Sequence, residues 1–345
     1  MQLAVIGAGV AGLVAARALR QRRPELALAV FEKSRGLGGR VATRRREGFA
    51  FDHGAQNLRA PGAAVARLLT EQLDTSLLRA IELPVWVFDR AGAIAPGDPA
   101  QNAEPKWCYA DGANRLGKLL AEGLDVRQST RVERLARDGP GWRLLGAAGE
   151  PLGQARAVLL TAPGPQSAEM IARSALAEDL RQALLAELAP ATYRRCISLA
   201  LAYAGRVERP FYALVNADRA HPIVWLALEH AKAPERCPPG HSLLIAQMAP
   251  GWSEQHWDDP ADALERAIAP LVAGLLGGEL GAPLWSDAQR WRYALPAGRA
   301  DFARLNGTGS GLYFAGDFTA ELGRVHLAIE SGWRAAELIV AELHS

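Results

Sequence analysis

The hydrophobic pattern of the first forty residues predicts one strand–helix–strand unit. The apolar run Leu3–Ile6 is typical of a short buried strand, residues 13–20 have helical spacing, and Leu28–Phe31 is a second apolar run. A glycine-rich turn follows each predicted strand, at residues 7–12 and 36–39. The chain therefore begins as an α/β protein.

The middle of the chain has a different pattern, in which short strands and helices alternate. Residues 131–161 predict short strands separated by turns, and residues 157–163 an apolar strand that a proline ends. Residues 166–189 predict helices, and residues 196–203 carry their larger apolar side chains on one face. This pattern favours a second, α+β domain for the substrate. Further strands are predicted at 125–131, Ile223–Leu228, 242–248 and 289–293, and an amphipathic helix at 262–276.

The C-terminal pattern returns to α/β. Leu312–Phe314 predicts a buried strand that Gly316 and Asp317 follow, and residues 323–332 open a helix expected to run to about Leu343. The dinucleotide-binding domain is therefore predicted to be discontinuous. It takes residues 1–72, 107–165 and 288–345, and the substrate domain takes 73–106 and 166–287.

The first glycine turn has the spacing of a dinucleotide-binding site. Gly7 allows the tight turn, Gly9 lets the backbone approach a pyrophosphate, and Gly12 lets the helix pack on the strand. The helix N-terminus, which includes Ala11, offers N–H groups to the phosphates. Glu32, 20 residues after Gly12, can accept hydrogen bonds from a ribose, and its charge argues against a 2′-phosphate. The alternative is an ordinary glycine-rich turn.

Composition narrows the class of protein. Apolar residues make up 49% of the chain and the net charge is +2, which gives no preference for nucleic acid or an anionic membrane. The apolar runs are shorter than the ~20 residues of a membrane span, and the N-terminus leaves no room for a signal peptide. Three isolated cysteines fit reduced thiols in a cytoplasm, and no metal-ligand spacing occurs. We therefore expect a cytoplasmic protein, monomeric or homodimeric.

The second glycine turn suggests which dinucleotide is bound. Residues 32–40 place three glycines and two arginines directly after the ribose-binding acid, so that Arg40 can contact a diphosphate oxygen in a forked geometry. This turn resembles that of the flavin-containing amine oxidase superfamily. The resemblance implies non-covalent FAD in a Rossmann-type domain of the glutathione-reductase/p-hydroxybenzoate-hydroxylase type. Residues 51–56 resemble the segment that runs beside the isoalloxazine ring in these proteins.

The same resemblance assigns further cofactor contacts. Asp317 would bind the ribitol or pyrophosphate side of FAD, and the following helix would direct its N-terminus at the flavin pyrimidine ring. The backbone of Val132 would lie near the adenine. With the two glycine turns, the predicted FAD-binding residues are Gly7, Gly9, Ala11, Gly12, Glu32, Lys33, Gly38, Gly39, Arg40, Val132, Gly316, Asp317, Arg324 and Val325.

Within this superfamily the chain is most similar to renalase and its bacterial relatives. The similarity lies in residues 33–40, 52–56, 246–257 and 290–294. It implies an oxidase that takes hydride from isomeric dihydronicotinamides and reduces oxygen to hydrogen peroxide. The chain departs from the family pattern at three places. The first is Asp111–Asn114, within the segment 107–114, the second is Glu229 with His230, and the third is His326. Each departure could change the substrate while leaving FAD binding intact.

Five residues are candidates for the substrate pocket. Gln56 and His53 would lie near the isoalloxazine ring, and His326 at the helix end beside flavin O2, unless it points to solvent. Trp291 and Tyr293 lie two apart on a predicted strand, so they either stack on a flat substrate or pack ordinarily. His230 either lines the pocket or is a satisfied surface histidine.

Two other functions stay open. One is an amine oxidase or a carotenoid-type desaturase with an apolar substrate. The other is a binding protein that kept the fold without redox chemistry, against which the intact FAD-binding residues count.

Overall fold

A computed structural model describes residues 1–278 and 280–342 of the chain. They form two compact units, each assembled from separate stretches of sequence. The first unit takes Met1–Val41, Leu116–Tyr193 and, within the described residues, 295–342; the second takes Ala42–Arg115 and Arg194–Ala294.

These units differ from the sequence-based domain boundaries at four places. Two are short stretches, 107–115 and 288–294, which were assigned to the dinucleotide-binding domain but lie in the second unit. Residues 42–72 belong to the second unit, because they contribute strands that pair inside it, such as Thr43–Arg46 with Phe49–Asp52. Residues 166–193 belong to the first unit, because the helices there share a hydrophobic core with its sheet through Ile171 and Leu184.

The first unit is built on a five-stranded parallel sheet. Leu3–Ile6 lies at its centre, with Leu3 opposite Leu28 on one side and Ala157 on the other. The predicted strand–helix–strand unit is thus confirmed, and its helix is Val10–Arg22. The strands in spatial order are Val126–Arg127, Leu28–Phe31, Leu3–Ile6, Ala157–Leu160 and Leu312–Phe314.

The strand predicted over residues 125–131 is shorter in the structure. Only Val126–Arg127 pairs with the neighbouring strand. Ser129 has a left-handed backbone (φ 51°), which turns the chain out of the extended conformation. The N–H of Thr130 then donates to the carbonyl of Glu32 at 2.8 Å. Val132 therefore lies beyond the strand, buried in the hydrophobic core of this unit.

Small elements complete the first unit. The antiparallel strands Arg134–Asp138, Gly141–Leu145 and Pro151–Ala155 form a three-stranded sheet. The C-terminal helix is described over Val325–Glu342, and the expected end at Leu343 lies outside the described residues. The remaining helices are Asn114–Ala121 (of which 116–121 belong to this unit), Gly164–Arg173, Glu178–Leu188, Phe302–Asn306 and the 3₁₀ turn Asp317–Thr319.

The second unit is built on a seven-stranded mixed sheet. Its strands in spatial order are Trp285–Pro296, Tyr193–Ala204, His241–Met248, Ile223–Leu228, Ala213–Asn216, Val85–Phe88 and Ile94–Pro96. Smaller sheets pair Thr43–Arg46 with Phe49–Asp52, and Lys106–Tyr109 with Leu58–Arg59 and Leu78–Ala80. The helical segments are Ala63–Arg67, Leu68–Gln72, Pro99–Ala103, Glu229–Lys232, Pro234–Arg236, Pro250–Gln255 and Ala261–Leu276.

The predicted alternation over residues 196–203 is confirmed. Ile197, Leu199, Leu201 and Tyr203 pack in one core together with the helix Ala261–Leu276, whereas Ala200 and Ala202 belong to a second core on the other face. Small residues on the second face leave room for the larger side chains that pack there. Among the described residues, no helix is both long and apolar enough to cross a bilayer.

Candidate cofactor and substrate sites

The two glycine turns of the first unit contact each other. The N–H of Gly38 donates to the carbonyl of Ala8 at 2.8 Å, and Gly9 and Gly38 form an isolated bridge. Gly38 and Gly39 have positive φ angles of 96° and 61°, which other residues adopt at a cost. A Cβ on Gly39 would lie 3.3 Å from the Cα of Gly9. The second turn is therefore pressed backbone to backbone against the first.

The glycines of the first turn meet different surroundings. A Cβ on Gly12 would lie 2.1 Å from the carbonyl oxygen of Gly7, so the helix could not approach the strand with a larger residue there. A Cβ on Gly9 would meet no atom of the described part of the chain within 4 Å. Gly9 therefore faces open space at the N-terminus of Val10–Arg22, where Ala11 is in the first turn. Backbone N–H groups around an open glycine fit a diphosphate group.

Glu32 is buried at the end of its strand and holds both turns. One carboxylate oxygen accepts from the N–H of Ala8 and the other from the N–H of Ser34, each at 2.8 Å. A carboxylate oxygen accepts more than one hydrogen bond, so the same group can also receive ribose hydroxyls. The neighbouring Lys33 is exposed.

Arg40 and Asp317 form a forked ion pair inside the first unit. Arg40 Nη1 donates to Asp317 Oδ2 at 2.6 Å and Nη2 donates to Oδ1 at 2.8 Å. Tyr193 Oη also donates to Asp317 Oδ1, at 2.6 Å. Asp317 is buried, while about a third of the Arg40 side chain is accessible. In this structure the fork that was expected on a diphosphate oxygen is therefore taken by Asp317, which balances the charge of Arg40 and fixes the orientation of its guanidinium.

Tyr193 was not among the residues that the sequence predicted. It lies 124 residues from Asp317 in the chain, and no local spacing signals that contact. A tyrosine at the start of a predicted sheet reads as ordinary packing.

The C-terminal segment positions Gly316 and the following helix. Gly316 has a φ of 143°, and its N–H donates to Ser331 Oγ at 2.9 Å. Arg324 is exposed just before the helix, Val325 begins it, and His326, its second residue, is half-buried.

His53 and Trp291 form a stacked aromatic pair in the second unit. Their ring centroids lie 5.4 Å apart at an interplanar angle of 17°. Trp291 Nε1 donates to the carbonyl oxygen of His53 at 2.7 Å, which fixes the pair. Burial, reinforced by the charge of Arg44, lowers the pKa of His53 to about 4, so the ring is neutral at neutral pH. Its Nδ1 is buried and has no hydrogen-bond partner among residues 1–278 and 280–342.

Gln56 is committed to its own unit. Its Nε2 donates to the carbonyls of Asp52 (2.5 Å) and Gly54 (3.1 Å), and its Oε1 accepts from Lys232 Nζ at 3.0 Å. Both amide hydrogens are therefore used by the protein. Gln56 braces the 52–56 segment, and one Oε1 lone pair is all it can still offer to another group.

A buried, charge-balanced cluster supports Gln56. Arg236 donates to Asp52 Oδ2 at 2.7 Å and also to Glu229, while Lys232 donates to Glu229. All four side chains are at most 1% accessible. Burial alone would raise the pKa of Asp52, but the charges of Arg236 and Lys232 outweigh it and hold the pKa below its ordinary value. Glu229, a departure from the renalase pattern, is thus part of a structural ion cluster.

The other candidates separate into structural and undecided positions. His230 is buried, with Nε2 2.8 Å from the carbonyl of Val207 and Nδ1 accepting from the N–H of Leu243 at 3.3 Å. It is therefore a satisfied core histidine. Asp111 pairs with Arg115 at the start of the 114–121 helix. Tyr293 is half-buried on the same strand as Trp291.

The cysteines are unsuited to attack on a flavin. Burial raises the pKa of Cys108 to about 11 and those of Cys196 and Cys237 to about 12. Each thiol is therefore protonated at neutral pH. No group of three potential metal ligands occurs among residues 1–278 and 280–342.

Sequence similarity to characterised proteins covers a short segment of the chain. A 54-residue segment is 44% identical to 4,4'-diapophytoene desaturase of Staphylococcus aureus (strain Newman), covering 16% of this chain and 10% of the desaturase. The chain thus matches about a tenth of that relative's length.

Solved structures share the fold at low sequence identity. A putative protoporphyrinogen oxidase from Exiguobacterium sp. 255-15 has a TM-score of 0.76 at 18% identity, covering 99% of both chains. Cyclohexylamine oxidase from Brevibacterium oxydans IH-35A has a TM-score of 0.76 at 16% identity, covering 100% of this chain and 99% of the other. Wild-type putrescine oxidase bound to putrescine has 0.74 at 16%, covering 99% of both.

Family models account for most of the sequence. Residues 5–72 match the NAD(P)-binding Rossmann-like domain, which confirms the predicted fold class. Residues 90–340 match the flavin containing amine oxidoreductase model, a family of FAD-dependent oxidoreductases. The chain belongs to the flavin-containing amine oxidoreductase family, and its cofactor is FAD, held non-covalently.

Proposed function

We propose that the protein is a renalase-like FAD-dependent oxidase of small planar hydride donors, such as isomeric dihydronicotinamides. The donor would lose a hydride and become an aromatic nicotinamide cation. Oxygen, with that hydride and one proton, would become hydrogen peroxide. Bound FAD supplies the two-electron relay between donor and oxygen.

The stacked His53–Trp291 pair carries this proposal. A flat, half-buried aromatic surface suits a planar ring better than it suits a flexible aliphatic amine. The neutral His53 ring has one nitrogen that donates and one that accepts. A nicotinamide carboxamide offers both a donor and an acceptor, so its hydrogen-bonding groups would match those of a neutral imidazole whose Nδ1 has no partner among the described residues.

The charges near this pair favour an uncharged donor. An alkylamine is an ammonium ion near neutral pH, and a site for it benefits from an unpaired carboxylate. Asp52 and Glu229 are each paired with Arg236, and Glu229 also with Lys232. These two carboxylates therefore do not recruit a cation.

The cofactor contacts belong to the same proposal. FAD would be held by the predicted residues of the first unit, with Glu32 on the ribose, the two glycine turns and Arg40 on the diphosphate, and Asp317 holding Arg40. Position and electrostatics, rather than acid–base groups, would do most of the catalytic work.

The first test is spectroscopic. The purified protein is expected to show an oxidised-flavin spectrum. This spectrum should bleach when borohydride-derived dihydronicotinamide isomers are added without oxygen. It should return when air is admitted, and hydrogen peroxide should then be formed. Trp291→Leu should lower kcat/KM for these donors about ten-fold or more with flavin content unchanged. Trp86→Leu, a half-buried tryptophan packed on Phe211 in the same unit, is the matched control.

Four other outcomes contradict the proposal or the observation that carries it. Bleaching by cyclohexylamine or putrescine but not by dihydronicotinamides would indicate an amine oxidase. A flavin spectrum that neither donor class bleaches would direct the search to desaturation. Protein that binds no flavin would favour the binding-protein alternative. Equal losses in Trp291→Leu and Trp86→Leu would remove the stacked pair from the donor site.

A further inference from the structure

Two side chains of the first unit, Arg40 and Tyr193, converge on the carboxylate of Asp317. Asp317 receives two hydrogen bonds from the fork of Arg40 and a third from Tyr193 Oη, all between 2.6 and 2.8 Å. The Arg40 guanidinium carbon also lies 5.5 Å from the centroid of the Tyr193 ring. The tyrosine therefore touches both members of the ion pair.

The backbone fixes where Tyr193 can be. The preceding residue, Thr192, accepts the N–H of Ala297 at 2.8 Å through its carbonyl. A Cβ on Gly298 would lie only 2.1 Å from the carbonyl oxygen of Pro190. The turn before Tyr193 is thus pressed against the segment after residue 296. The tyrosine ring enters the site from a firmly held position.

The hydroxyl of Tyr193 serves as a hydrogen-bond donor to Asp317. Burial, followed by the charge of Asp317, raises the pKa of its hydroxyl far above the ordinary value, so the group stays protonated and donates. A carboxylate with three charge-assisted donors is held in one orientation. Arg40, whose side chain is about a third accessible, has several rotatable bonds and depends on that carboxylate for its alignment.

We infer that Tyr193 is a positioning residue of the FAD site, acting through Asp317 to align Arg40 with the cofactor diphosphate. The inference concerns retention of the cofactor, so it stands whichever donor the protein oxidises.

The test measures FAD release from the holoprotein. Serial dilution with detection of free-flavin fluorescence gives Kd for wild type, Tyr193→Phe, Asp317→Asn and the double variant. Tyr193→Phe is expected to raise Kd about ten-fold. In the Asp317→Asn background the same change should add less than about two-fold, because its route through the carboxylate is already altered.

Tyr313→Phe is the matched control. Tyr313 Oη also donates to a carboxylate at 2.6 Å, that of Glu342 in the same unit. Its removal should leave Kd within about two-fold of wild type. An unchanged Kd in Tyr193→Phe, full additivity with Asp317→Asn, or an equal rise in Tyr313→Phe would each overturn the inference. Thermal unfolding at saturating FAD identifies any variant that has simply lost its fold.

Discussion

Gly9 and Gly12 of the first turn are glycine for different physical reasons. Gly12 is required by packing, because the carbonyl of Gly7 occupies the position of a Cβ. Gly9 has an ordinary extended backbone (φ −74°) and an open face, so the protein itself would accept a side chain there. Packing within the protein therefore gives no reason for glycine at position 9, and the predicted diphosphate contact would supply one.

Valine at these positions should therefore separate cofactor binding from folding. Gly9→Val is expected to fold with a Tm close to that of wild-type apoprotein but to purify with at most about a tenth of the flavin. Gly12→Val should lose several kcal/mol of stability, since overpacking against backbone has no easy relief. Absorbance at the flavin band and thermal unfolding measure the two effects. Full flavin content in Gly9→Val would refute this role for the glycine.

Sequence predicted local residues better than distant partners. Glu32 follows the first turn at a fixed interval, which marks it as a candidate ribose contact, and the structure places it buried between two backbone donors. Tyr193 and Arg40 meet at Asp317 only because the chain returns after long excursions. No local pattern signals the contact between Gln56 and Lys232, which lies 176 residues away and donates to its amide oxygen.

Helix packing decides which glycines inside helices can be replaced by a larger residue. The helices Val10–Arg22 and Val325–Glu342 pack closely, and a Cβ on Gly332 would lie 2.5 Å from the carbonyl oxygen of Ala11. Gly274, in the helix Ala261–Leu276, has no atom within 4 Å of such a Cβ. The two glycines have the same intrinsic helix propensity and opposite surroundings.

Alanine at these two glycines should change stability in opposite directions. Gly274→Ala is expected to stabilise the protein by about 0.5–1 kcal/mol, because alanine is the better helix former. Gly332→Ala should destabilise it by about 1–3 kcal/mol, because the first helix must move. Denaturant midpoints at saturating FAD compare the variants. Stabilisation by both changes would mean that the helix contact yields without cost.

Elements were predictable where one physical rule dominates. Apolar runs in the parallel sheet and the alternation over residues 196–203 follow directly from burial, and both are confirmed. The strand predicted over residues 125–131 is too long, because the left-handed backbone of Ser129 ends it. The N–H of Ser129 donates to the carbonyl of Ser34, a distant contact that composition does not signal.

The free energy of unfolding of the whole molecule should depend on pH through two adjacent residues, Asp52 and His53. His53 is neutral in the fold with a pKa of about 4, whereas an unfolded histidine binds a proton below about 6.5. The unfolded state therefore gains the proton first, and stability falls by roughly 3 kcal/mol as pH drops from about 6.5 to about 4. Asp52, with its lowered pKa, adds a further loss below about pH 4, where the unfolded carboxylate protonates.

Urea unfolding at pH 7 and pH 4.5, followed by tryptophan fluorescence, measures this dependence. His53→Phe keeps a ring against Trp291 and removes the titration, so its difference between the two pH values should be smaller by about 2 kcal/mol. An identical difference in wild type and variant would show that His53 does not govern acid stability.

Domain boundaries were the least predictable feature of the whole molecule. The sequence indicates that the chain leaves the dinucleotide-binding unit and returns, but the residues of each passage depend on which strands pair. Strands 43–46 and 49–52 look like a continuation of the glycine turns in sequence, yet they pair inside the second unit.

The order of the parallel sheet has a consequence for biosynthesis. Leu312–Phe314 completes the sheet that Leu3–Ile6 begins, and Arg40 meets its carboxylate 277 residues later in the chain. A ribosome therefore translates more than 300 residues after the first strand before the sheet of the first unit can close. Until then a nascent chain must keep its earliest strands available, a period in which chaperones would be expected to matter. Flavin capture would then come late, as the event that follows synthesis of Asp317.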